Sequence, residues 1–364
     1  MIPLCVAEIK GNEWKYIEEC LNNNAVGGIG SFVDRFEKDF KKFVGANRGV
    51  VTPNGTSALH LALRVLGIKE GDEVIVPSLT YIATVNPIKY VGAEPVFVDV
   101  CRDTFSMDVK KVEELITPRT KAIMPVHLYG HPVDMDSLME LASKYNLYVI
   151  EDATEGLGSL YKGNSIGSIG HMGCFSFNAN KLMTTGGGGM LVTNDVELGK
   201  KAKFLSTQAR VFHENNGFSY TDIGYNFRLP NINASMGCAQ LENLDEFILK
   251  KREHRKYYDE FLKDVNGITL PVEKEWAKNV FWLYSIVVED DFRMSRDELI
   301  KAFSENDIET RPFFEPVHEM IPYKNCRHGD LTVTEELGKR GINLPSSVGL
   351  KKEEIEKVCE IIIG

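Results

Sequence analysis

The sequence predicts an α/β protein, with a large unit built on a mainly parallel sheet and a smaller α+β unit after it. Short apolar runs alternate with helix-like stretches through the first 150 residues, which is typical of a parallel sheet covered by helices. After about residue 205 this alternation stops, and a long helical pattern leads into shorter mixed elements. A chain of 364 residues is long enough for two units, which we place at residues 1–245 and 246–364.

The individual elements are predicted from apolar spacing. Two helices come first, each indicated by three apolar residues at helical spacing: Trp14, Ile17 and Leu21, then Phe32, Phe36 and Phe40. Strands are predicted at residues 49–52, 73–77, 95–100, 122–126, 147–152 and 190–193, with helices at 56–66, 80–91, 108–116 and 134–145. The second half is predicted to hold a polar loop over 206–228, helices over 232–261, 295–305 and 351–362, and strands over 281–288 and 308–313.

Composition and charge exclude several classes of protein. The chain has 42 Lys+Arg against 52 Asp+Glu, a formal net charge of −10, which argues against nucleic acid or an anionic membrane as the main partner. No apolar run approaches the ~20 residues that span a bilayer, and the start of the chain shows no signal-peptide pattern. The seven cysteines are scattered and form no C-x-x-C pair. We therefore expect no disulfide framework and a reducing, cytoplasmic environment.

A turn between a predicted strand and a predicted helix offers a site for an anion. It contains Gly55, Thr56 and Ser57. Backbone N–H groups and two hydroxyls at a helix N-terminus suit a phosphate monoester. The same residues could instead cap an ordinary helix.

Two charged residues follow apolar runs, where burying a charge is costly unless it has a partner. Asp152 ends a buried strand, so it requires a cation, a metal or a protonated heterocycle, unless it caps the next element with Glu155. Lys181 precedes four consecutive glycines at 186–189. A partly buried lysine there could form a Schiff base with a carbonyl cofactor, whereas a solvated loop lysine is the alternative.

Other common catalytic signatures are missing from the sequence. His127 and His131 are four residues apart, but Gly130 and Pro132 disfavour a helix there, so we predict no metal site. No G-x-S-x-G element indicates a serine hydrolase. A nicotinamide-dependent oxidoreductase acting on nucleotide sugars is a second hypothesis, and the absence of G-x-G-x-x-G after a strand argues against it.

Five short motifs, taken in order, resemble those of one enzyme family. They are GTSALH at 55–60, PSLTY at 77–81, EDATE at 151–155, SFNANK at 176–181 and GYNFR at 224–228. Together they resemble the DegT/DnrJ/EryC1/StrS family of pyridoxal-phosphate-dependent nucleotide-sugar aminotransferases, and the resemblance covers essentially the whole chain. It implies an aspartate-aminotransferase-like large domain, a smaller C-terminal domain and a cytoplasmic homodimer. A non-enzymatic regulator that keeps the pyridoxal pocket is a further alternative.

The resemblance also implies a role for individual residues. Lys181 would join the cofactor covalently and shuttle a proton, and Asp152 would pair with the pyridine nitrogen. Tyr81 would stack on the ring, and Glu155 would lie near its phenolic oxygen. The phosphate would be held by Gly55, Thr56, Ser57 and Ser176, together with Asn226 of the partner subunit. L-Glutamate would convert the cofactor to pyridoxamine 5'-phosphate and leave as 2-oxoglutarate.

The expected substrate rests on the C-terminal part of the chain. Residues 309–318 (ETRPFFEPVH) resemble family members that aminate C4 of GDP-4-keto-6-deoxymannose, giving GDP-perosamine for O-antigen or polysaccharide biosynthesis. Arg228, Arg311 and His318 would then contact the nucleotide diphosphate or the sugar, unless they are structural ion-pair partners. Residues 206–210 and the N-terminal third instead resemble enzymes acting on UDP- or dTDP-linked 4-keto-6-deoxy sugars of the bacillosamine, legionaminic acid or viosamine type.

Overall fold

A computed structural model describes residues 1–214 and 217–364. The α-helices are α1 (Glu13–Asn22), α2 (Ser31–Val44), α3 (Gly55–Val65), α4 (Ile82–Tyr90), α5 (Met135–Tyr145), α6 (Val196–Ser206), α7 (Asn231–Glu242), α8 (Leu244–Leu262), α9 (Arg296–Glu305), α10 (Thr332–Arg340) and α11 (Lys352–Ile363). The strands are β1 (Arg48–Thr52), β2 (Glu73–Pro77), β3 (Glu94–Val98), β4 (Thr120–Ile123), β5 (Tyr148–Asp152), β6 (Leu160–Tyr161), β7 (Asn164–Ser165), β8 (Met172–Ser176), β9 (Gly189–Thr193), β10 (Arg210–Phe212), β11 (Phe218–Tyr220), β12 (Ile268–Thr269), β13 (Ala277–Lys278), β14 (Tyr284–Val288), β15 (Arg311–Pro312) and β16 (Gly341–Leu344).

A seven-stranded, mainly parallel sheet forms the centre of the large unit, as predicted. Its strand order is β1-β9-β8-β5-β4-β2-β3. Only β9 runs against the rest: it pairs antiparallel with both β1 and β8, whereas the other neighbours pair in parallel. The strands are almost entirely buried because helices cover both faces. The carboxyl ends of β1, β2, β5 and β8 therefore meet at one edge, where ligands bind in such sheets.

Three of the predicted segments differ in kind from the structure. The stretch 108–116 forms two 3₁₀ turns, Val109–Lys111 and Glu113–Leu115, instead of an α-helix; Pro118 follows and disfavours helix just before it. The long helix divides at Asn243 into α7 and α8. The polar loop over 206–228 contains the hairpin β10–β11, and its residues 215 and 216 lie outside the described part of the chain.

The small unit is built on a four-stranded antiparallel sheet, as the α+β prediction requires. Its order is β12-β14-β16-β15, and β14 is buried along its whole length. Helix α11 packs against α8 and α9, and α9 packs against β15 and β16; all three helices contribute to a core that includes Tyr258, Phe303 and Ile355. No described helix has the length and apolar content needed to cross a bilayer.

The N-terminal segment, residues 2–5, packs on the small unit. The amide of Glu309 donates to the carbonyl of Ile2 (2.9 Å), and the amide of Leu4 donates to Glu309 Oε2 (3.1 Å). The amide of Ser346 donates to the carbonyl of Leu4 (2.6 Å). These contacts bring the beginning of the chain to the border between the two sheets.

Candidate active site

A cavity of about 720 Å³ opens at the carboxyl edge of the central sheet. This volume is in the range of small-molecule and cofactor sites. Most of the predicted site residues line it: Gly55, Thr56, Tyr81, Asp152, Glu155, Ser176, Lys181 and Arg311. The N-terminal segment and the loop before β14 complete its wall with Leu4, Cys5, Trp282 and Leu283. The large unit therefore supplies the floor and the small unit closes one side.

Asp152 is a buried carboxylate with room for another donor. It ends β5 and is 2% exposed. The Thr84 hydroxyl donates to its Oδ2 (2.8 Å) and the Thr154 amide to its Oδ1 (3.1 Å). A carboxylate accepts about four hydrogen bonds, so Asp152 can still take a proton donor from the cavity. A protonated heterocycle would offset the cost of burying its charge.

Thr84 is a site residue that the sequence analysis did not identify. It lies in the first turn of α4 and also shares a hydrogen bond with the Thr80 hydroxyl (2.8 Å). All three groups of this Thr80–Thr84–Asp152 chain are buried. Thr84 lies three residues after Tyr81, the N-cap residue of α4. This spacing is the sequence feature that could have linked Thr84 to the site.

Lys181 lies between an acid and an aromatic ring. Its Nζ is 3.5 Å from Glu155 Oε1 and 3.9 Å from the centroid of the Trp282 ring. The Lys181 side chain is only 14% exposed. Burial raises the pKa of Glu155, although the nearby Lys181 charge and the Tyr129 amide, which donates to Glu155 (3.0 Å), act in the opposite direction. Trp282 comes from the loop before β14 and was not predicted.

The turn before α3, where an anion site is predicted, lies at the wall of the cavity. The Asn54 side chain caps the helix by accepting from the Ser57 amide (2.8 Å). Helix geometry leaves the first amides, those of Gly55 and Thr56, without intrahelical partners. A Cβ on Gly55 would lie 3.0 Å from the Ser176 Cβ, a tight contact that glycine avoids. Ser57, by contrast, is outside the described cavity lining.

The glycine run at 186–189 packs against this same turn. Gly186 adopts a φ of +77°, in the left-handed region that favours glycine. A Cβ on Gly189 would lie 2.5 Å from the carbonyl oxygen of Asn54. The run therefore lets β9 begin directly against the cap of α3. Two residues of the run, Gly187 and Gly188, also line the cavity.

Two predicted residues lie at the mouth of the cavity. Tyr81 precedes α4 and is 57% exposed, with its ring centroid 5.6 Å from that of Phe314. An accessible flat ring of this kind can stack on a planar ligand. Arg311 has a side chain that is 63% exposed and pairs with Glu309 Oε1 at 3.2 Å. Its guanidinium can therefore reach an anionic ligand without leaving a buried partner.

The other predicted residues lie outside the described cavity lining. Asn226 is exposed, and its Oδ1 accepts from Arg228 Nε (3.1 Å). His318 Nδ1 is 2.8 Å from Ser78 Oγ, and its Nε2 is 3.4 Å from Glu335. His318 thus joins the small unit to the end of β2. The side-chain atoms of His318, Glu319 and Glu335 that could ligate a metal ion lie within 4.8 Å of one another.

The combined arrangement fits pyridoxal phosphate. The open amides and hydroxyls at α3 suit a phosphate, and the buried acid suits a protonated ring nitrogen. Lys181 Nζ projects into the same cavity, where it can join an aldehyde. Gly55 is the specific feature, because a Cβ there would press on Ser176 and Thr154, which line the same cavity.

Comparison with known proteins identifies the family. The model of the DegT/DnrJ/EryC1/StrS aminotransferase family matches residues 7–363. The chain is 43% identical over 358 residues to a GDP-perosamine synthase of Caulobacter vibrioides, covering 98% of this chain and 96% of the relative. It is 45% identical over 364 residues to a GDP-perosamine synthase of Escherichia coli O157:H7, covering 99% and 97%.

A solved structure supports the same conclusion. The aminotransferase TlmJ of Streptoalloteichus hindustanus superimposes with a TM-score of 0.94 at 28% identity, covering 100% of this chain and 98% of that one. The predicted fold and enzyme class are thereby confirmed. The chain belongs to the DegT/DnrJ/EryC1/StrS family and is a pyridoxal-phosphate-dependent aminotransferase.

Proposed function

We propose that this enzyme transfers the amino group of L-glutamate to C4 of GDP-4-keto-6-deoxymannose, giving GDP-perosamine. Lys181 in one cavity with Asp152 and the amides of α3 is the observation that carries the transamination chemistry. Identities of 43% and 45% to two GDP-perosamine synthases, over nearly the whole chain, support the substrate. The ETRPFFEPVH segment, which places Arg311 at the cavity mouth, points to the same substrate.

Each residue has a defined task in this reaction. Bound pyridoxal phosphate supplies an electron sink. Asp152, held by the Thr84 hydroxyl, would keep the ring nitrogen protonated. Lys181 Nζ would remove the proton from the substrate carbon that carries the amine and would later return it. Glu155, which accepts from the Tyr129 amide, would lie near the phenolic oxygen.

The nucleotide preference is tested by thermal unfolding. We expect GDP to raise the melting temperature more than UDP, dTDP or CDP, since a ligand at 100-fold excess over its Kd adds about 2.7 kcal/mol of stability. Arg311→Ala should reduce the GDP shift, whereas Lys162→Ala, at an exposed site, should leave it unchanged. Glutamate plus the GDP-linked keto sugar should then yield the 4-amino sugar by mass spectrometry.

Other outcomes of that assay would contradict the proposal in distinct ways. An amino product only from a UDP- or dTDP-linked keto sugar would overturn the GDP assignment and keep the reaction. No product from any nucleotide sugar, with cofactor bound, would favour a regulator.

We also propose that two copies of the chain share each site, with Asn226 of the partner subunit reaching the cofactor phosphate. Asn226 is exposed, outside its own described cavity. The adjoining hairpin also leaves large apolar side chains in solvent: Phe212, Phe218, Tyr220 and Ile223. Exposed apolar patches of this kind are typical of protein–protein interfaces.

Mixed dimers test this sharing directly. Lys181→Ala and Asn226→Ala homodimers should each lose activity. Co-expression with two affinity tags should restore about a quarter of wild-type activity, because half of the dimers are mixed and each has one intact site. No restoration in isolated mixed dimers, or a fully active Asn226→Ala homodimer, would contradict a shared site.

We place the enzyme in a reducing cytoplasm. All seven cysteines are free thiols, and four of them are buried. Disulfides form in oxidising compartments, so a protein of this size without any is suited to the compartment where glutamate and nucleotide sugars are made. Fractionation of cells with an antibody to the chain tests this placement.

A further inference from the structure

The Trp282 ring faces the amine of Lys181 from the small unit. Lys181 Nζ lies 3.9 Å from the ring centroid, well inside the ~6 Å over which a cation is attracted to an aromatic face. Trp282 is 4% exposed, so this contact is shielded from water. Glu155 Oε1 lies 3.5 Å from the same amine. The amine is therefore held between an acid and an aromatic face.

The ring is held in this orientation by its own hydrogen bonds. Trp282 Nε1 donates to the carbonyl of Asn180 (2.9 Å), the residue just before Lys181. The backbone carbonyl of Trp282 accepts from the buried Lys251 Nζ (2.6 Å), which also donates to the carbonyl of Ser346. The preceding residue, Phe281, has a φ of +52°. An unusual backbone conformation and a buried lysine together fix the position of one side chain.

We infer that Trp282 is a positioning residue that holds the free amine of Lys181 for proton transfer. This inference rests on the proposed role of Lys181. During turnover the amine leaves the cofactor, takes a proton from the substrate carbon and becomes an ammonium group. The C–H bond breaks, an N–H bond forms, and the electron pair passes into the cofactor. The ring face stabilises the new charge and keeps the amine out of solvent until the proton is returned.

If Trp282 only contacted the substrate, replacing it would change the kinetics in a different way. Trp282 lines the cavity, so it could instead contact glutamate or the sugar. Loss of a substrate contact raises KM at an unchanged maximal rate. Loss of amine positioning lowers the rate at saturating glutamate and makes proton transfer more rate-limiting.

The test compares three variants of the holoenzyme. Trp282→Leu removes the ring face and its N–H, whereas Trp282→Phe keeps a face and loses the N–H to Asn180. Trp276→Leu is the matched control, because Trp276 packs on His131 and Tyr161, away from the described cavity lining. Borohydride reduction and peptide mapping first identify the labelled lysine. The single-turnover rate is then measured with glutamate and with 2-deuterated glutamate.

We expect Trp282→Leu to slow the glutamate half-reaction about 10-fold at saturation, with a larger deuterium isotope effect. Trp282→Phe should slow the same half-reaction about 3-fold. In cofactor-free protein, acetic anhydride should modify Lys181 faster in Trp282→Leu than in Trp276→Leu. This second measurement does not depend on activity. If the leucine variant fails to fold, the phenylalanine variant decides.

Two results would overturn the inference: a Trp282→Leu rate within about twofold of the control, or a raised KM at an unchanged rate. Cofactor fixed on a lysine other than Lys181 would instead refute the proposed function. The two failures are therefore distinguishable.

Discussion

Lys181→Ala is expected to lower the rate of transamination by about 10³-fold or more, because the variant lacks the amine that we propose both joins the cofactor and moves the proton. The cofactor should still bind through the anion site at α3, since Gly55 and Thr56 are unchanged. Borohydride should no longer fix it to the protein. The measurement is single-turnover absorbance with glutamate, followed by peptide mass spectrometry.

The control for this variant is another lysine of the large unit. Lys162 pairs with Asp136 at 2.6 Å, and their side chains are 52% and 63% exposed. Lys162→Ala should retain wild-type activity, since an exposed ion pair contributes little. Added methylamine should partly restore turnover to Lys181→Ala by replacing the missing base. A Lys181→Ala enzyme with wild-type turnover would remove Lys181 from the mechanism.

Asp152→Asn is expected to lower turnover by about 10²- to 10³-fold while keeping the cofactor. The amide oxygen can accept from Thr154, and the amide nitrogen can donate to Thr84, whose hydroxyl rotates toward Thr80. The fold should therefore tolerate the change. The lost negative charge no longer holds a proton on the ring nitrogen, so the electron sink weakens. Cofactor affinity and single-turnover rate are measured on the same preparation.

Asp136→Asn, at the exposed ion pair, provides the matched control for loss of one negative charge. It should leave both cofactor affinity and turnover at wild-type values. If Asp152→Asn turned over at the wild-type rate, the proposed pairing with the ring nitrogen would be wrong. If it lost the cofactor entirely, Asp152 would act in binding instead.

The part of the site that the sequence predicts is the part fixed by the central sheet. Asp152 and Ser176 each end a strand, and Gly55 opens the helix after another. The carboxyl ends of parallel strands share an edge, so a residue's position along the chain determines where it lies in the site. Six of the seven strands of the central sheet overlap predicted strands, because buried strands read as short apolar runs.

Residues that reach the site from elsewhere carry no such signal. Thr84 and Asp152 are 68 positions apart, and nothing in the apolar spacing links them. Trp282 arrives from the other unit, in a loop whose conformation depends on tertiary contacts. The elements α10 and β16 were also missed: α10 buries only Thr334 and Leu337, and β16 has four residues. Such short elements show too little periodicity to be predicted.

The position of the N-terminal segment has a consequence for biosynthesis. Ile2 and Leu4 pair with residues 309 and 346, and Leu4 and Cys5 line the cavity. During synthesis, residues 2–4 therefore lack these partners until residues 309–346 have left the ribosome. The central sheet can form earlier, but a complete cavity requires those later residues.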